Sequence, residues 1–337
     1  MSPELTKALV TVLTRHFDSP VLHLRPGGGQ GNHLTFRALI QGRESFVRIE
    51  NGPEGDDYVE IESYLLGAVA DMGVPAPSVL GFDSSRREVP FAWQVLDCIQ
   101  EPDLNRQYQE GLMSIGPTMQ RIGEYIARWQ GIVSPGYGPF DTDVMRGCRR
   151  LQGYHASYGD YFRTRLEDHL AFLAERRFLD SPQVEEILEE IEKHQDLLVL
   201  EEGCLVHKDL ALWNIHGVQD RVTAIIDWDD AIGGDPMDDI SLLGCFHDGA
   251  ALGKLMEGYS AIRPLPDNHR RRFWLHLLRN MIFKAVIRVG AGYFDRSVGF
   301  FLIGQGSSGT DLRAFTLLRL RASLQGLRTD ADPACLT

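Results

Sequence analysis

The segment LVHKDLALWNI at residues 205–215 constrains the fold of this chain more than any other. It is an apolar run interrupted by polar residues, and the sequence stays β-like as far as VTAIIDWDD, whereas both flanks have helical periodicity. Asp209 or Asn214 alone would predict an ordinary turn. Asp227 follows Asn214 by thirteen residues. This spacing predicts that the carboxylate of Asp209 lies in a loop and that Asn214 and Asp227 lie beside it, across a hairpin.

This set of side chains is what phosphoryl transfer requires. The reaction needs a carboxylate that orients the attacking hydroxyl and accepts its proton, and oxygen ligands that hold Mg²⁺ on the nucleotide phosphates. The segment matches the kinase catalytic-loop pattern H-R-D-L-x-x-x-N at every specified position, except that Lys208 replaces the arginine. The residues therefore predict a phosphotransferase centre.

The N-terminal part of the chain has the pattern of a small mixed unit. After a first helix, residues 21–49 alternate short β-rich runs with turn residues, which predicts three antiparallel strands. A helix with an apolar stripe at Ile61, Leu65 and Ala68 follows, and a strand, FAWQVLD, ends at Asp97.

Beyond Asp97 the pattern is helical, apart from the β-like region around residues 205–230. We therefore predict an α+β fold with a small antiparallel-sheet lobe over residues 1–97 and a larger, mostly helical lobe over residues 98–337. A ligand site is expected in the cleft between the lobes.

Other elements of a phosphate site lie upstream in the expected order. The glycines of GGGQGN at 27–32 let backbone N–H groups approach phosphate oxygens, although this segment alone would be interpreted as a flexible turn. Arg48 ends the third predicted strand, and Glu62 on the next helix could pair with it. Arg48 or Glu62 alone would be interpreted as an ordinary surface charge. Their order relative to the glycine loop and to Asp209 indicates a role in phosphate binding.

A second glycine motif, GQGSSG at 304–309, matches the dinucleotide-binding pattern G-x-G-x-x-G. Too little chain follows it to complete a Rossmann unit, so we interpret it as a loop between helices and not as the site of a nicotinamide-dependent oxidoreductase.

Composition limits the partners. The formal net charge of −13 argues against binding to nucleic acid or to a membrane surface, and it is compatible with a cationic ligand. The 5 cysteines are scattered without a C-x-x-C pair, which indicates neither disulfides nor zinc. No run approaches the roughly 18 apolar residues of a membrane span. We expect a cytoplasmic protein that is a monomer or a weak dimer.

From about Gly27 to Ile240 the chain resembles the aminoglycoside phosphotransferase family of small-molecule kinases. The resemblance rests on GGQGNHLTFRA, GVPAPSVLGFD, VHKDLALWN and IIDWDDAIGGDP. Together with GYGPFD at 136–141, the catalytic stretch is most similar to the hygromycin phosphotransferase branch. The resemblance implies a bilobal, protein-kinase-like fold, and the DWD at 227–229 in place of DFG, without a following A-P-E, points away from protein substrates.

The resemblance also implies roles for particular residues. Asp209 would be the catalytic base, Asn214 and Asp227 the Mg²⁺ ligands, and Arg48 with Glu62 the pair that positions phosphate. Nucleotide contacts would come from the glycine loop and from the hinge that contacts adenine, which comprise Gly28, Gly29, Gln30, Gly31, Asn32, Gln94, Val95 and Leu96.

The implied activity is transfer of the γ-phosphoryl group of ATP or GTP to a hydroxyl of a small molecule. An aminoglycoside-like, cationic antibiotic is the first expectation for the acceptor. The alternatives are an endogenous amino alcohol or sugar, and a non-catalytic nucleotide-binding protein of the same fold.

Several residues depart from the family pattern. Arg48 replaces a lysine, which changes a point donor into a fork. Lys208 stands where the family has a small residue, and we expect it to face solvent rather than the transferred phosphate. His33 is an insertion in the glycine loop.

The remaining acidic residues have two interpretations each. Asp235 and Asp239 are expected to cap the helix that follows. Asp229 and Asp230 could contact the acceptor or support the metal ligands. His247 and Asp248 could line the acceptor pocket, or they could simply lie at a helix end.

Overall fold

The computed structural model describes residues 3–27, 33–50, 57–296 and 309–337. The first lobe contains α1 (Pro3–Phe17), β1 (Leu22–Pro26), β2 (Leu34–Ile40), β3 (Arg43–Glu50), α2 (Tyr58–Asp71), β4 (Val79–Asp83) and β5 (Ala92–Asp97). Its strands form a five-stranded antiparallel sheet in the order β1-β2-β3-β5-β4.

Side-chain alternation along these strands decides which residues face the cleft between the lobes. Phe36 of β2 and Val47 of β3 are buried against Leu13 of α1, on the outer face of the sheet. The neighbouring Arg48 therefore points to the inner face, where it lies opposite Gln94 of β5.

The second lobe is mostly helical. Its helices are α3 (Leu104–Gln109), α4 (Ile115–Trp129), α5 (Thr142–Cys148), α6 (Tyr158–Arg163), α7 (Leu166–Glu175), α8 (Ser181–Lys193), α9 (Asp238–Leu243), α10 (Gly249–Ser260), α11 (His269–Gly290) and α12 (Gly309–Thr329). Its strands are β6 (Val133–Ser134), β7 (Tyr137–Phe140), β8 (Gly153–His155), β9 (Gly203–Val206), β10 (Ile215–Val218), β11 (Arg221–Ile225) and β12 (Ile232–Gly234).

Helices α4 and α10 form the centre of this lobe and approach each other closely through glycines. A Cβ atom at Gly123 would lie 1.9 Å from the carbonyl oxygen of Leu255, and one at Gly258 would lie 1.8 Å from that of Gln120. Both positions therefore require glycine because the two backbones are in contact.

The structure confirms the predicted α+β, bilobal architecture, although the boundary at residue 97 stays a prediction. Strands β6, β7, β8 and β12 were not predicted, because each has only 2 to 4 residues, too short for a visible alternation. They form by pairing with one another and with β9. Residues 304–308 of GQGSSG lie outside the described residues, and α12 begins at the last glycine of that motif.

Across the ranges that the structure describes, no helix combines the length and the apolar character needed to cross a membrane.

Candidate active site

The loop after β9 places Asp209 in the cleft and holds it by an amide. Asn214, at the end of the short 3₁₀ helix Leu212–Asn214, donates from Nδ2 to the Asp209 carbonyl oxygen at 2.8 Å and to its Oδ2 at 3.0 Å. His207 is fully buried, with Nε2 2.9 Å from the carbonyl oxygen of Ile226. The carboxylate of Asp209 is therefore fixed by its own loop.

Helix α9 holds the same loop from the other side. The carboxylate of Asp239 accepts hydrogen bonds from the backbone N–H of His207 at 2.9 Å and of Lys208 at 3.0 Å. Burial raises the pKa of Asp239 to about 7, against the opposing effect of these two N–H groups. The expectation that Asp239 caps its own helix is wrong, because its side chain is engaged by the catalytic loop instead.

Asp235 is also more than a capping residue. It accepts from the backbone N–H of Met237 at 2.8 Å, as a turn-capping carboxylate would, and it pairs with Arg272 at 2.5 Å and His276 at 3.3 Å. It therefore ties the start of α9 to α11.

Lys208 does not face solvent, contrary to the expectation from sequence. Its Nζ lies 2.8 Å from Asp238 Oδ2 and 3.0 Å from Asn280 Oδ1. These partners come from α9 and α11, 30 and 72 positions along the chain, so local sequence could not reveal them.

The inner face of the first lobe carries a buried cation surrounded by carboxylates. Arg48 contacts Glu62 at 2.8 Å, Glu50 at 2.9 Å and Asp229 at 2.7 Å, with its side chain 5% exposed. We call Arg48, Glu50, Glu62 and Asp229 the Arg48 cluster. Burial disfavours the charged guanidinium, but Glu62, Asp229 and Glu50 outweigh it and raise the pKa of Arg48 above its usual value.

The insertion His33 joins this cluster. Its Nε2 lies 3.1 Å from Asp229 Oδ2 and 3.1 Å from Nη2 of Arg48. Burial opposes ionisation of Asp229, but the hydrogen bond with His33 and the charge of Arg48 hold the pKa of Asp229 below its usual range. The glycine-loop residues Gly28, Gly29, Gln30, Gly31 and Asn32 lie outside the described residues.

Asp227 lies between the catalytic loop and the Arg48 cluster. Its Oδ1 is 4.0 Å from Arg48, its backbone has a φ of +69°, and its side chain is 44% exposed. Partial burial and the nearby carboxylates of Asp229 and Glu62 raise the pKa of Asp227 to about 8. A carboxylate in this environment is stabilised by a cation.

The donors at this point fit a magnesium ion. Because Nδ2 of Asn214 is engaged by Asp209, the amide oxygen is the atom that can bind a cation. Asp227 is near in the fold, because the backbone N–H of its neighbour Ile226 donates to the carbonyl oxygen of Asn214 at 3.0 Å. Within the described part of the chain, no three His, Cys, Asp or Glu side chains form a closed metal site. Mg²⁺ is commonly bound by one or two protein oxygens together with substrate phosphates, so two ligands suffice.

A cavity of about 280 Å³ opens beside Asp209. Its walls include the aromatic side chains Tyr158, Tyr161, Phe162 and Phe283, together with Asp230. Asp229, by contrast, belongs to the Arg48 cluster and is not among the residues that line the cavity.

The sequence from residue 23 to residue 274 matches the phosphotransferase enzyme family APH. The chain belongs to this family. A comparison with curated proteins finds no match.

Solved structures of similar fold agree with the family assignment. Aminoglycoside phosphotransferase APH(4)-Ia is 18% identical, with a TM-score of 0.64 over 95% of this chain and 99% of that one. A candidate fructosamine-3-kinase from Thermobifida fusca YX-ER1 is 17% identical, with a TM-score of 0.64 over 94% and 98%. A candidate aminoglycoside phosphotransferase from Ralstonia eutropha JMP134 is 19% identical, with a TM-score of 0.62 over 96% and 97%. At these identities the likeness shows the protein-kinase-like fold.

The three residues predicted to form the nucleotide hinge, Gln94, Val95 and Leu96 of β5, point to different faces of the sheet. Gln94 is fully buried beside the Arg48 cluster and donates to Ser63 at 2.9 Å. The side chain of Val95 packs in the outer core with α1, so only its backbone could face a nucleotide. Leu96 packs in the main core, on the inner side of the sheet.

His247 and Asp248 do not reach the cavity. Asp248 caps α10 by accepting from the backbone N–H of Ala251 at 3.0 Å, and the ring of His247 is buried 6.1 Å from that of Tyr108. Of the two interpretations, the structure shows the helix-end pair.

Sequence reasoning missed the residues that α11 contributes. His276, Arg279, Asn280, Phe283 and Lys284 all line the cavity. They recur at spacings of three and four, which places them on one face of the helix. Four polar residues at this spacing within the apolar middle of the helix were the available signal. Lys284 is the most notable of them, because its Nζ lies 3.6 Å from Asp209 Oδ1.

Proposed function

We propose that this protein is a small-molecule kinase that transfers the γ-phosphoryl group of ATP or GTP to a hydroxyl of its acceptor. The observation that carries the proposal is the position of Asp209. Its carboxylate is held by Asn214 at the wall of a ligand-sized cavity, and the Asp227 side chain lies toward the buried Arg48 cluster.

The acceptor hydroxyl would donate to Asp209 and lose its proton to that carboxylate as its oxygen attacks the γ-phosphorus. The new O–P bond forms while the bond from the γ-phosphorus to the bridging oxygen breaks, and the nucleoside diphosphate leaves. Asn214 keeps Asp209 oriented, and Lys284 brings a positive charge to the point where the phosphoryl group passes.

Asn214 and Asp227 would hold Mg²⁺, which supplies positive charge to the nucleotide phosphates when bound. The Arg48 fork takes the place of a phosphate-binding lysine. Because Glu62, Glu50 and Asp229 hold its guanidinium from three sides, its orientation is set before the nucleotide arrives.

Structures of APH(4)-Ia variants contain ADP or AMP-PNP together with hygromycin B. These complexes support a nucleotide donor and a small acceptor for this chain. Together with the sequence resemblance to the hygromycin phosphotransferase branch, they make an aminoglycoside one candidate acceptor. The second candidate, an endogenous metabolite, is favoured by the cavity itself. Its walls carry four cations, Arg165, Lys208, Arg279 and Lys284, against three carboxylates, Asp209, Asp230 and Asp238, so they are not an acidic surface for a polycation.

Transfer of radiolabelled phosphate from ATP and from GTP to a panel of aminoglycosides, amino alcohols and sugars tests the proposal. We expect Asp209→Asn to reduce turnover by roughly a thousandfold or more while nucleotide binding is kept. Asp220→Asn makes the same chemical change in the exposed turn between β10 and β11 and should have no effect.

A wild-type protein that binds ATP with Mg²⁺ but transfers phosphate to none of the acceptors, and does not hydrolyse ATP slowly, would support the non-catalytic nucleotide-binding alternative instead.

A further inference from the structure

One part of the acceptor cavity is lined by three basic side chains, Arg165, His169 and Arg279, which we call the basic cluster. Arg279 of α11 donates to the carbonyl oxygens of Phe162 at 3.0 Å and Thr164 at 2.9 Å. Its remaining contact is the ring nitrogen Nδ1 of His169 at 3.4 Å. These three partners are neutral.

Within the described ranges of the chain, no carboxylate forms an ion pair with Arg279 or Arg165, although the charge of Asp238, which pairs with Lys208, still acts on Arg279. The other cations of the cavity differ: Lys208 pairs with Asp238 at 2.8 Å, and Lys284 lies 3.6 Å from Asp209. A partly buried guanidinium without a counter-ion is unfavourable, and an anionic ligand would remove that cost.

The titration of the neighbouring groups agrees with a positive potential at this point. Burial, Arg279 and Arg165 together lower the pKa of His169 to about 4, although the exposed Asp168 beside it acts in the opposite direction. Burial also lowers the pKa of Arg279. His169 is therefore neutral near pH 7, and the charge of the basic cluster comes from the two arginines.

The size of the cavity restricts the ligand further. About 280 Å³ is slightly below the roughly 300–1,000 Å³ of sites that bury drug-sized ligands. A compact acceptor fits this volume better than an aminoglycoside of several rings. Phe162 and Phe283 add apolar surface between the charged groups.

Resting on the kinase function proposed above, we infer that the acceptor carries an anionic group, a carboxylate or a phosphate, in addition to the hydroxyl that is phosphorylated. The anionic group binds Arg279 and Arg165 beside His169, and the hydroxyl lies at Asp209. The anionic group takes no part in bond making, so the transfer is balanced as before: the acceptor proton goes to Asp209 and the nucleoside diphosphate leaves.

A set of acceptors that share one scaffold and differ in charge tests this inference. Phosphate transfer is measured with glucose, glucosamine, gluconate and glucose 6-phosphate. We expect kcat/KM for gluconate or glucose 6-phosphate to exceed that for glucose by roughly tenfold or more, as a charge-assisted contact would give. Comparison of these two anions distinguishes a carboxylate from a phosphate. A preference for glucosamine or glucose would overturn the inference.

Binding is measured independently of turnover, so that an unsuitable sugar scaffold does not hide the site. With AMP-PNP and Mg²⁺ filling the nucleotide site, inorganic phosphate or gluconate at millimolar concentration should bind saturably and raise the melting temperature. If neither anion binds to the wild-type protein, the inference fails.

Two variants and a matched control assign the effect to the basic cluster. Arg165→Gln and Arg279→Gln should each weaken anion binding roughly tenfold, and raise KM for an anionic acceptor as much, with kcat changed by no more than about twofold. Arg163→Gln is the control, because Arg163 is exposed, pairs with Glu192 at 3.0 Å and lies outside the cavity. Arg165 is exposed and without a carboxylate partner in the described structure, so its substitution does not threaten folding as that of Arg279 does.

The two proposals fail in different ways. If anions bind in an Arg165-dependent manner but no phosphate is transferred to any acceptor, the kinase function fails and the anion subsite stands. If phosphate transfer and anion binding are the same in Arg165→Gln, Arg279→Gln and wild type, the subsite fails and the kinase function stands.

Discussion

The Arg48 cluster and the basic cluster have opposite charge balances. In the first, one guanidinium is surrounded by Glu50, Glu62 and Asp229, so the protein supplies more negative charge than it needs to neutralise the cation. In the second, two guanidinium groups have no carboxylate partner in the described structure. The first environment favours an added cation, and the second favours an added anion.

The charge of Arg48 is balanced by the protein itself, whereas the charges of Arg165 and Arg279 are balanced only when an anionic ligand binds. Arg48 is paired with protein carboxylates whether or not a nucleotide is present, so its substitution should lower the free energy of unfolding in addition to weakening the proposed phosphate contact. In the described part of the chain, Arg279 contacts only neutral groups and Arg165 has no carboxylate partner, so their substitution should act mainly on anion binding.

The largest effect is expected from Arg48→Met. The change leaves the buried carboxylates of Glu50 and Glu62, and the partly buried one of Asp229, without their cation, and we expect the free energy of unfolding to fall by about 3–5 kcal/mol in chemical denaturation. Arg43→Met on the same strand removes an exposed ion pair with Asp97 and should cost no more than about 1 kcal/mol. Equal losses in the two variants would contradict the comparison.

Combining Arg48→Met with Glu62→Leu sharpens the same test. Removing one of the stranded carboxylates should recover part of the lost stability, because the cost lies in the unpaired charge and not in the missing arginine.

Lys284→Met should reduce kcat by roughly 10- to 100-fold, because it removes the positive charge 3.6 Å from Asp209 where the phosphoryl group passes. The free energy of unfolding should change little, since the partner Asp209 is itself partly exposed. Lys254→Met removes an exposed pair with Glu257 at 2.7 Å and serves as the control. An unchanged kcat in Lys284→Met would show that Lys284 has no role in the transfer step.

The smallest effect concerns pH. The pKa of His169 and that of His247 are each about 4 in the folded protein, lowered first of all by burial. In the unfolded chain a histidine has a pKa near ~6.5, so only the unfolded state gains a proton as the pH falls from about 6.5 to about 4. Each histidine should therefore reduce the free energy of unfolding by about 1 kcal/mol at about pH 5.5, and should have no effect above about pH 7.

These two histidines also provide an internal comparison, because only His169 lines the cavity. Gluconate bound at the basic cluster should raise the pKa of His169 and leave that of His247 unchanged, measured by NMR of the imidazole carbon protons. A shift of both, or of neither, would argue against an anion beside His169.

Sequence was informative wherever the signal was local. The alternation of short apolar runs predicted the antiparallel sheet, and the order of Arg48, Glu62, Asp209, Asn214 and Asp227 placed them in one site before any coordinates. Spacing within a single loop was enough to predict the hydrogen-bonded pair of Asp209 and Asn214 as neighbours.

Sequence failed where partners come from distant elements. Lys208 was expected in solvent because nothing near it in the chain shows Asp238 or Asn280. An acceptor site in the helical lobe was expected, but the residues of α11 that line the cavity were not predicted, because they depend on where α11 lies relative to the loop of Asp209. His247 and Asp248 were left with two interpretations, because a capping carboxylate and an active-site carboxylate look alike in one sequence.

Asp238 and Asp239 have a consequence for how this enzyme can diversify. Asp239 accepts hydrogen bonds from the backbone N–H groups of His207 and Lys208 in the loop that carries Asp209. Its neighbour Asp238 pairs with Lys208 and accepts a hydrogen bond from Asn280 of α11. Two adjacent carboxylates thus couple α11, which lines the cavity, to the loop that carries the proposed catalytic base Asp209. A substitution on α11 can change acceptor choice without loss of kcat only if it leaves the contacts of Asp238 with Lys208 and Asn280 intact. We therefore expect substitutions of Phe283 to alter acceptor choice with kcat kept, whereas substitution of Asn280 should reduce kcat.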